Sequence, residues 1–261
     1  MLFRSAFASR YALISVADKD GIIELATKLV LMGFQIISTG GTAKHLQSAG
    51  ITSIDVSEIT SVPEMLGGRV KTLNNWIYAG ILAKRDGSQA EEIRTLGIKL
   101  IDVIVVNLYP FEKTIASGTA TLEDAIENID IGGVSLLRAS AKNYQSVWSI
   151  SNPSQYDKLI IGLGLQLDGM LEQAENIRRD FAIASLCLTS QYDSIISKYL
   201  AGVATNDVET MPQLLDFQYT KVQEMRYGEN AHQAAGMYRK LGASTIGGIA
   251  NAIQKQGKEL S

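Results

Sequence analysis

Ile101-Asp102-Val103-Ile104-Val105-Val106 runs without a break into Asn107-Leu108-Tyr109-Pro110-Phe111. Apart from Asp102, the first six side chains are aliphatic and branched at Cβ. Such a run suits a strand covered on both faces, the central position of a parallel sheet. Pro110 has no amide hydrogen and turns the chain out of the ladder. Working outward, Ala12-Leu13-Ile14-Ser15-Val16, Phe34-Gln35-Ile36-Ile37 and Ser146-Val147-Trp148-Ser149-Ile150 read as further strands. Between the first two, Ile22, Leu25, Ala26 and Leu29 share one helical face, with Asp20 as candidate N-cap and Gly33 as the stop. A Gly-Gly turn then leads into a helix from Thr42 to Ala49. Strands alternating with helices predict an α/β domain: a doubly wound parallel sheet, helices on both faces, with ligands gathered at the carboxyl ends of the strands.

The pattern changes after Met170. Ile177, Phe181, Ala184, Leu188, Tyr192, Ile195 and Tyr199 recur at spacings of four and three, as in a long amphipathic helix or two in series. Its expected role is packing on the sheet or on a second subunit. Residues 202–216, with Gly202, Asn206, Asp207 and Pro212, read as a linker.

With 261 residues, 46% of them hydrophobic, the chain can bury one domain of about 200 residues and carry an appendage. A net charge of −3 argues against nucleic acid or an anionic membrane as partner, so any anion site must be built from a few converging cations. Cys187 is the sole cysteine, which rules out an intrachain disulfide and fits a reducing, cytoplasmic setting. His45 and His232 are the only histidines and lie far apart, which argues against a zinc site; carboxylates could still hold magnesium, but no metal ligand is singled out. No apolar run approaches the roughly 20 residues of a membrane helix. Met1 to Arg10 has two arginines and no acid, faintly like a targeting leader; a ragged extension is the preferred reading.

Four stretches carry chemistry. Ser38-Thr39-Gly40-Gly41-Thr42 lies between a strand and a helix, where converging N–H groups and hydroxyls hold phosphates; a plain tight turn with an N-cap threonine is the other reading. Ala17-Asp18-Lys19, at the first strand's exit, brings a lysine to the same rim. Gly67-Gly68-Arg69-Val70-Lys71-Thr72-Leu73 sets flexible backbone before two cations and a hydroxyl, which suits a loop closing over an anion, although such residues also occur on ordinary surface loops. Asn107 and Tyr109 leave the central strand and either bind ligand or satisfy buried backbone. In Ile129-Asp130-Ile131-Gly132-Gly133 and on to Lys142-Asn143, an acid and an amine join the phenol of Tyr109 as groups able to relay protons.

These blocks, with Pro63-Glu64-Met65-Leu66 ahead of the second, Leu137-Arg138-Ala139-Ser140-Ala141 inside the last, and Arg226-Tyr227-Gly228-Glu229-Asn230 beyond, closely resemble the bifunctional AICAR transformylase/IMP cyclohydrolase family of purine biosynthesis. The resemblance is colinear from about residue 11 to 235. It implies a cyclohydrolase domain of methylglyoxal-synthase-like fold over residues 1–201, a linker over 202–216, and over 217–261 a short fragment of a second α/β domain, the truncated start of the transformylase.

The implied reaction closes the pyrimidine ring of a formylated aminoimidazole carboxamide ribotide with loss of water, giving inosine monophosphate. By the resemblance Lys142 donates or accepts the proton, with Asp130 and Tyr109 in the relay, and Lys71 holds the oxyanion. Ala17, Asp18, Lys19, Thr39, Gly40, Gly41, Thr42, Arg69, Val70, Thr72, Asn107, Leu108 and Ile131 would contact the purine ribonucleotide, and Arg226 and Tyr227 the transformylase substrate. It implies no cofactor for the cyclohydrolase and 10-formyltetrahydrofolate only for the transformylase half, which is not expected to be complete in this polypeptide. It also implies a homodimer.

The sequence departs from the family where Asn74 and Tyr78 replace two histidines after Lys71-Thr72-Leu73. Ala17 stands for a serine, Tyr144 for a histidine and Ala231 for a proline. Asn and Tyr keep hydrogen bonding but lose a group titrating near neutrality. Two other readings stay open at this point: a purine-nucleotide-binding module without turnover, and a methylglyoxal synthase or related allosteric domain.

Overall fold

The computed structural model describes residues 9–116, 120–205, 217–240, 248–253 and 255–257. It divides into two units, Met1–Ser197 and Lys198–Ser261. The first is built on a five-stranded parallel sheet of order β3-β2-β1-β4-β5, with β1 Arg10–Val16, β2 Phe34–Ser38, β3 Ser53–Asp55, β4 Ile101–Asn107 and β5 Trp148–Ile150. The order reverses between β1 and β4, so the connections leaving these two central strands part to opposite faces and leave a crevice at their carboxyl ends.

Pleating splits β1 between two cores. Ala12, Ile14 and Val16 join the helices α1 (Ile22–Leu31) and α9 (Tyr156–Leu167), with Trp148 beneath them. Tyr11 and Leu13 join the opposite layer, where α4 (Asn75–Leu82) and α8 (Gly132–Lys142) supply Ile77, Ile81, Leu136 and Leu137. All of Ile101–Val106 is buried, Asp102 included, as a strand covered on both faces requires. The remaining helices of this unit are α2 Gly40–Ser48, α3 Val56–Thr60, α5 Ala90–Leu96, α6 Phe111–Ala116, α7 Leu122–Glu127 and α10 Leu171–Thr205.

Several boundaries differ from expectation for local reasons. Asp20 does not cap α1. Gly21 does, at φ 65°, a left-handed turn that glycine takes without strain, while the Asp20 N–H donates to Asp18 Oδ1 at 3.0 Å. The Gly-Gly pair is not a turn ahead of α2 but its first two residues, so the helix starts before Thr42, with Thr39 at the cap. Helix α10 is continuous, and its buried face is rotated from the apolar stripe. Ala174, Arg178, Phe181, Ser185, Thr189 and Tyr192 are buried, whereas Ile177, Ala184, Leu188 and Ile195 are half-buried. Polar members tolerate this because they are bonded: Ser185 Oγ lies 2.9 Å from Ser149 Oγ, and Arg178 Nη1 donates to Gln166 Oε1 at 2.9 Å.

Residues 202–205 of the expected linker are still helical, and its remainder lies outside the described residues, as do residues 1–8 of the leader-like segment. In the second unit, β6 Tyr219–Met225 pairs antiparallel with β7 Ala235–Lys240. Their connection is closed by the Gly228 N–H on the Gln233 carbonyl at 2.8 Å. Among the described residues no helix is long and apolar enough to cross a membrane, and no group of three or more His, Cys, Asp or Glu is placed to hold a metal ion.

Candidate active site

A cleft of about 1320 Å³ opens in the first unit where β1, β2 and β4 end. Its walls come from the exits of these strands, the loop 67–73, the entry to α8, and α10. Of the residues singled out from sequence, Ala17, Asp18, Lys19, Thr39, Gly40, Gly41, Thr42, Arg69, Lys71, Thr72, Asn107, Leu108, Tyr109, Asp130 and Ile131 line it.

Asp130 sits just before α8. Its Oδ1 accepts the Gly133 N–H at 2.7 Å, and a Cβ on Gly133 would fall 2.5 Å from Oδ2, so glycine is required for this approach. Burial pushes the Asp130 carboxyl above the ordinary aspartate range, partly offset by the backbone N–H groups of Gly133 and Tyr109. The Asp130 N–H donates to Tyr192 Oη at 2.8 Å, and that hydroxyl donates to the Asn128 carbonyl at 3.2 Å. Helix α10 therefore steadies the acid. Sequence spacing placed Tyr192 on a packing stripe and gave no signal of this bond.

Lys71 reaches the cleft from the neighbouring loop. Leu66, Gly67 and Gly68 all have positive φ (54°, 63° and 97°), and Met65 and Val70 bridge across them. The Lys71 ammonium pairs with Glu64 at 3.0 Å, and a Cβ on Gly40 would lie 3.4 Å from it. The lysine thus stands at the first turn of α2, where free N–H groups and the helix dipole also attract negative charge. Thr72 is buried with its hydroxyl against Gly132, which links this loop to α8. Arg69 forms a two-point ion pair with Glu127, Nε donating to Oε1 at 3.2 Å and Nη2 closing on Oε2.

Other expected ligand donors are already engaged. Thr42 Oγ1 accepts the Val16 N–H and donates to the Val16 carbonyl, both at 3.1 Å. The Asn107 amide is spent on the backbone of Ala17 and Asp18. Tyr109 contributes its backbone N–H to Asp130, while its side chain is exposed.

Two residues of the first unit are not brought in. Val70 does not line the cleft, and its backbone is bridged to Met65. Lys142 is exposed at the last position of α8, and ten helical rises of ~1.5 Å carry it about 15 Å along the axis from Gly132. Asn74 and Tyr78, at the substituted histidines, do not line the cleft either. Asn74 Oδ1 caps α4 by accepting the Trp76 N–H at 2.8 Å. The Tyr78 phenol is buried, and burial raises its pKa, with the Ser135 side chain working against the shift and Asp130 adding to it. Arg226 and Tyr227 belong to the second unit, exposed where β6 ends.

A parallel sheet of this order, with its cleft at the reversal point and helices on both faces, is a doubly wound α/β domain, and the profile of the methylglyoxal-synthase-like (MGS-like) domain matches residues 21–135 of it. The profile of the AICARFT/IMPCHase bienzyme matches residues 140–261, and the chain belongs to that family. It is 47% identical over 254 residues to the bifunctional purine biosynthesis protein PurH of Ruminiclostridium cellulolyticum, covering 96% of this chain and 48% of the relative. The protein of the same name from Acetivibrio thermocellus is 47% identical over 253 residues, again 96% and 48%. The chain spans about half the length of the curated relatives it matches. Among solved structures, the crystal structure of ForH is similar at 32% identity and a TM-score of 0.60, over 72% of this chain and 97% of that one.

Proposed function

We propose that this chain is the IMP cyclohydrolase of purine biosynthesis, closing the ring of 5-formamidoimidazole-4-carboxamide ribotide to inosine monophosphate. The observation that carries the reading is the meeting of Asp130 and Lys71 in one cleft, a carboxyl made more basic by burial and a cation facing the first turn of α2.

In this reaction the carboxamide nitrogen bonds to the formamide carbon and loses one proton, and the formyl oxygen becomes an oxyanion that takes up a proton; the C–O bond then breaks as the formamide nitrogen gives up its own proton and forms the C=N bond, so the oxygen leaves as water. Atoms balance with one water released, so the step draws on no cofactor. Asp130 in its ionised form accepts the nitrogen's proton and passes it towards the departing oxygen. Lys71 stabilises the oxyanion as a cation already in place before charge develops. Arg69, Lys19 and the amides of Gly40 and Gly41 take the phosphate. Asn107 and Thr42 act through the backbone they hold. Formyl transfer is not proposed for this chain. A homodimer is part of the proposal, and a monomer in sedimentation at micromolar concentration would count against it.

The test follows inosine monophosphate by absorbance from the synthetic formamido ribotide, with spontaneous closure subtracted. Wild type should accelerate closure, and Asp130→Asn should lose about 10²-fold or more of that rate. A wild type that binds the nucleotide without accelerating closure would be a binding module instead.

A further inference from the structure

The loop that supplies the cleft's cations makes two ion pairs, and they are built differently. Lys71 and Glu64 belong to the same loop. Their pair is seated on Gly68, where a Cβ would fall 2.6 Å from Glu64 Oε1 and 2.7 Å from Lys71 Cε. The Lys71 side chain is 29% exposed. Arg69 and Glu127 come instead from separate segments, the loop and the end of α7, and their side chains are 63% and 59% exposed. Both line the cleft. The carboxylate takes the guanidinium through two parallel contacts, the geometry in which arginine also takes a phosphate.

The Arg69 guanidinium holds the Glu127 carboxyl below its ordinary range, so Glu127 is an anion at neutral pH. A pair so open to water contributes little stability and is readily exchanged. Among the described residues no glycine seat like that at Gly68 encloses it.

We propose that Glu127 is a resident counter-anion for Arg69: it occupies the guanidinium in the empty cleft, is displaced by the ligand's phosphate, and so sets how tightly the phosphate is held. This inference rests on reading the cleft as a nucleotide site. Glu127 acts only through Arg69 and touches no reacting atom. Glu64 is not exchanged; it tethers Lys71.

Calorimetric titration of the full chain with inosine monophosphate, and with inosine as the probe lacking phosphate, tests it on wild type, Glu127→Gln and Glu64→Gln. Removing the competing charge should tighten inosine monophosphate about three- to tenfold in Glu127→Gln. Inosine affinity should not change, and Glu64→Gln should not tighten either ligand. In ring closure, KM should fall in Glu127→Gln without a rise in kcat. Unchanged or weaker nucleotide binding by folded Glu127→Gln overturns the inference alone, as does equal tightening of inosine. Absence of nucleotide binding by every protein overturns both this inference and the proposed function.

Discussion

Asn107 holds Asp18 by both ends of its side-chain amide: Nδ2 donates to the Asp18 carbonyl at 2.8 Å, and Oδ1 accepts the Asp18 N–H at 2.9 Å. The same oxygen accepts the Ala17 N–H at 2.6 Å. Val16 and Asn107 are register partners at the ends of β1 and β4, so the amide prolongs the ladder by one step beyond the last strand residue. The rim from Ala17 to Lys19 is thereby fixed over the crevice that the two strands open.

That arrangement makes Asn107→Asp informative. A carboxylate still accepts the two N–H groups but cannot donate to the Asp18 carbonyl, which would then face negative charge. We expect a loss of about 1–3 kcal/mol in urea unfolding, with weaker nucleotide binding from a loosened rim. Unchanged stability would mean that the Asp18 carbonyl finds water at no cost.

Two glycines in α9 should respond with opposite signs. A Cβ on Gly162 would fall 2.4 and 2.6 Å from the Trp148 ring. That ring is 1% exposed and pinned, its Nε1 donating to Gln166 Oε1 at 3.1 Å and the Arg178 guanidinium lying 5.1 Å from its centre. Gly162→Ala should cost about 1–3 kcal/mol of overpacking despite better helix propensity. Gly164 meets nothing within 4 Å, so Gly164→Ala should gain about 0.5–1 kcal/mol. Thermal melts of both variants check the pair.

The central strand was legible because a strand buried on both faces leaves a continuous β-branched run, and Ile101–Val106 has one. The cleft was legible as a set of motifs at strand ends, since the fold dictates where such ends meet. What escaped is set by partners distant in the chain. Thr42 and Asn107 read as ligand donors, yet Val16 and Asp18 use their bonds. Arg69 read as a bare cation, yet Glu127 holds it. The α10 stripe was placed off its true face because Arg178, Ser185 and Thr189 are buried, a choice settled by hydrogen bonds to Gln166, Ser149 and the Leu186 carbonyl rather than by hydropathy.

Asp130 predicts a pH dependence of stability. Its folded-state pKa is raised by burial, so the protonated form is favoured by folding. The contribution is fully present below the unfolded pKa and is lost as pH rises through the folded value. As pH rises through that folded value, wild type comes to hold an ionised, half-buried carboxylate at a cost that asparagine at 130 avoids, while the asparagine amide oxygen still accepts the Gly133 N–H. Asp130→Asn should melt higher than wild type at pH 7, with the gap closing as pH falls towards 3.8. A gap that widens in acid would reverse the assigned cause.

Lys71 and Lys142 separate two ways of placing a cation near the reaction. Lys71 is held by Glu64 at 3.0 Å and faces the first turn of α2. Lys142 shares a sequence motif with Asp130, but α8 carries it about 15 Å away from the cleft end of that helix. Contiguity in sequence is contiguity in space only for residues one helical turn apart, and this motif spans the full length of α8. Lys71→Ala should lower kcat for ring closure by about 10²–10³-fold, as expected when one preset oxyanion partner is removed. Lys142→Ala should keep inosine monophosphate affinity within about twofold and turnover within a few-fold, because nothing in this subunit's cleft touches it. Calorimetry and single-turnover kinetics on both variants decide the point. Full loss of turnover in Lys142→Ala with affinity retained would mean that the lysine reaches the substrate from outside this subunit's cleft, and the relay assigned here to Asp130 would then have a second member.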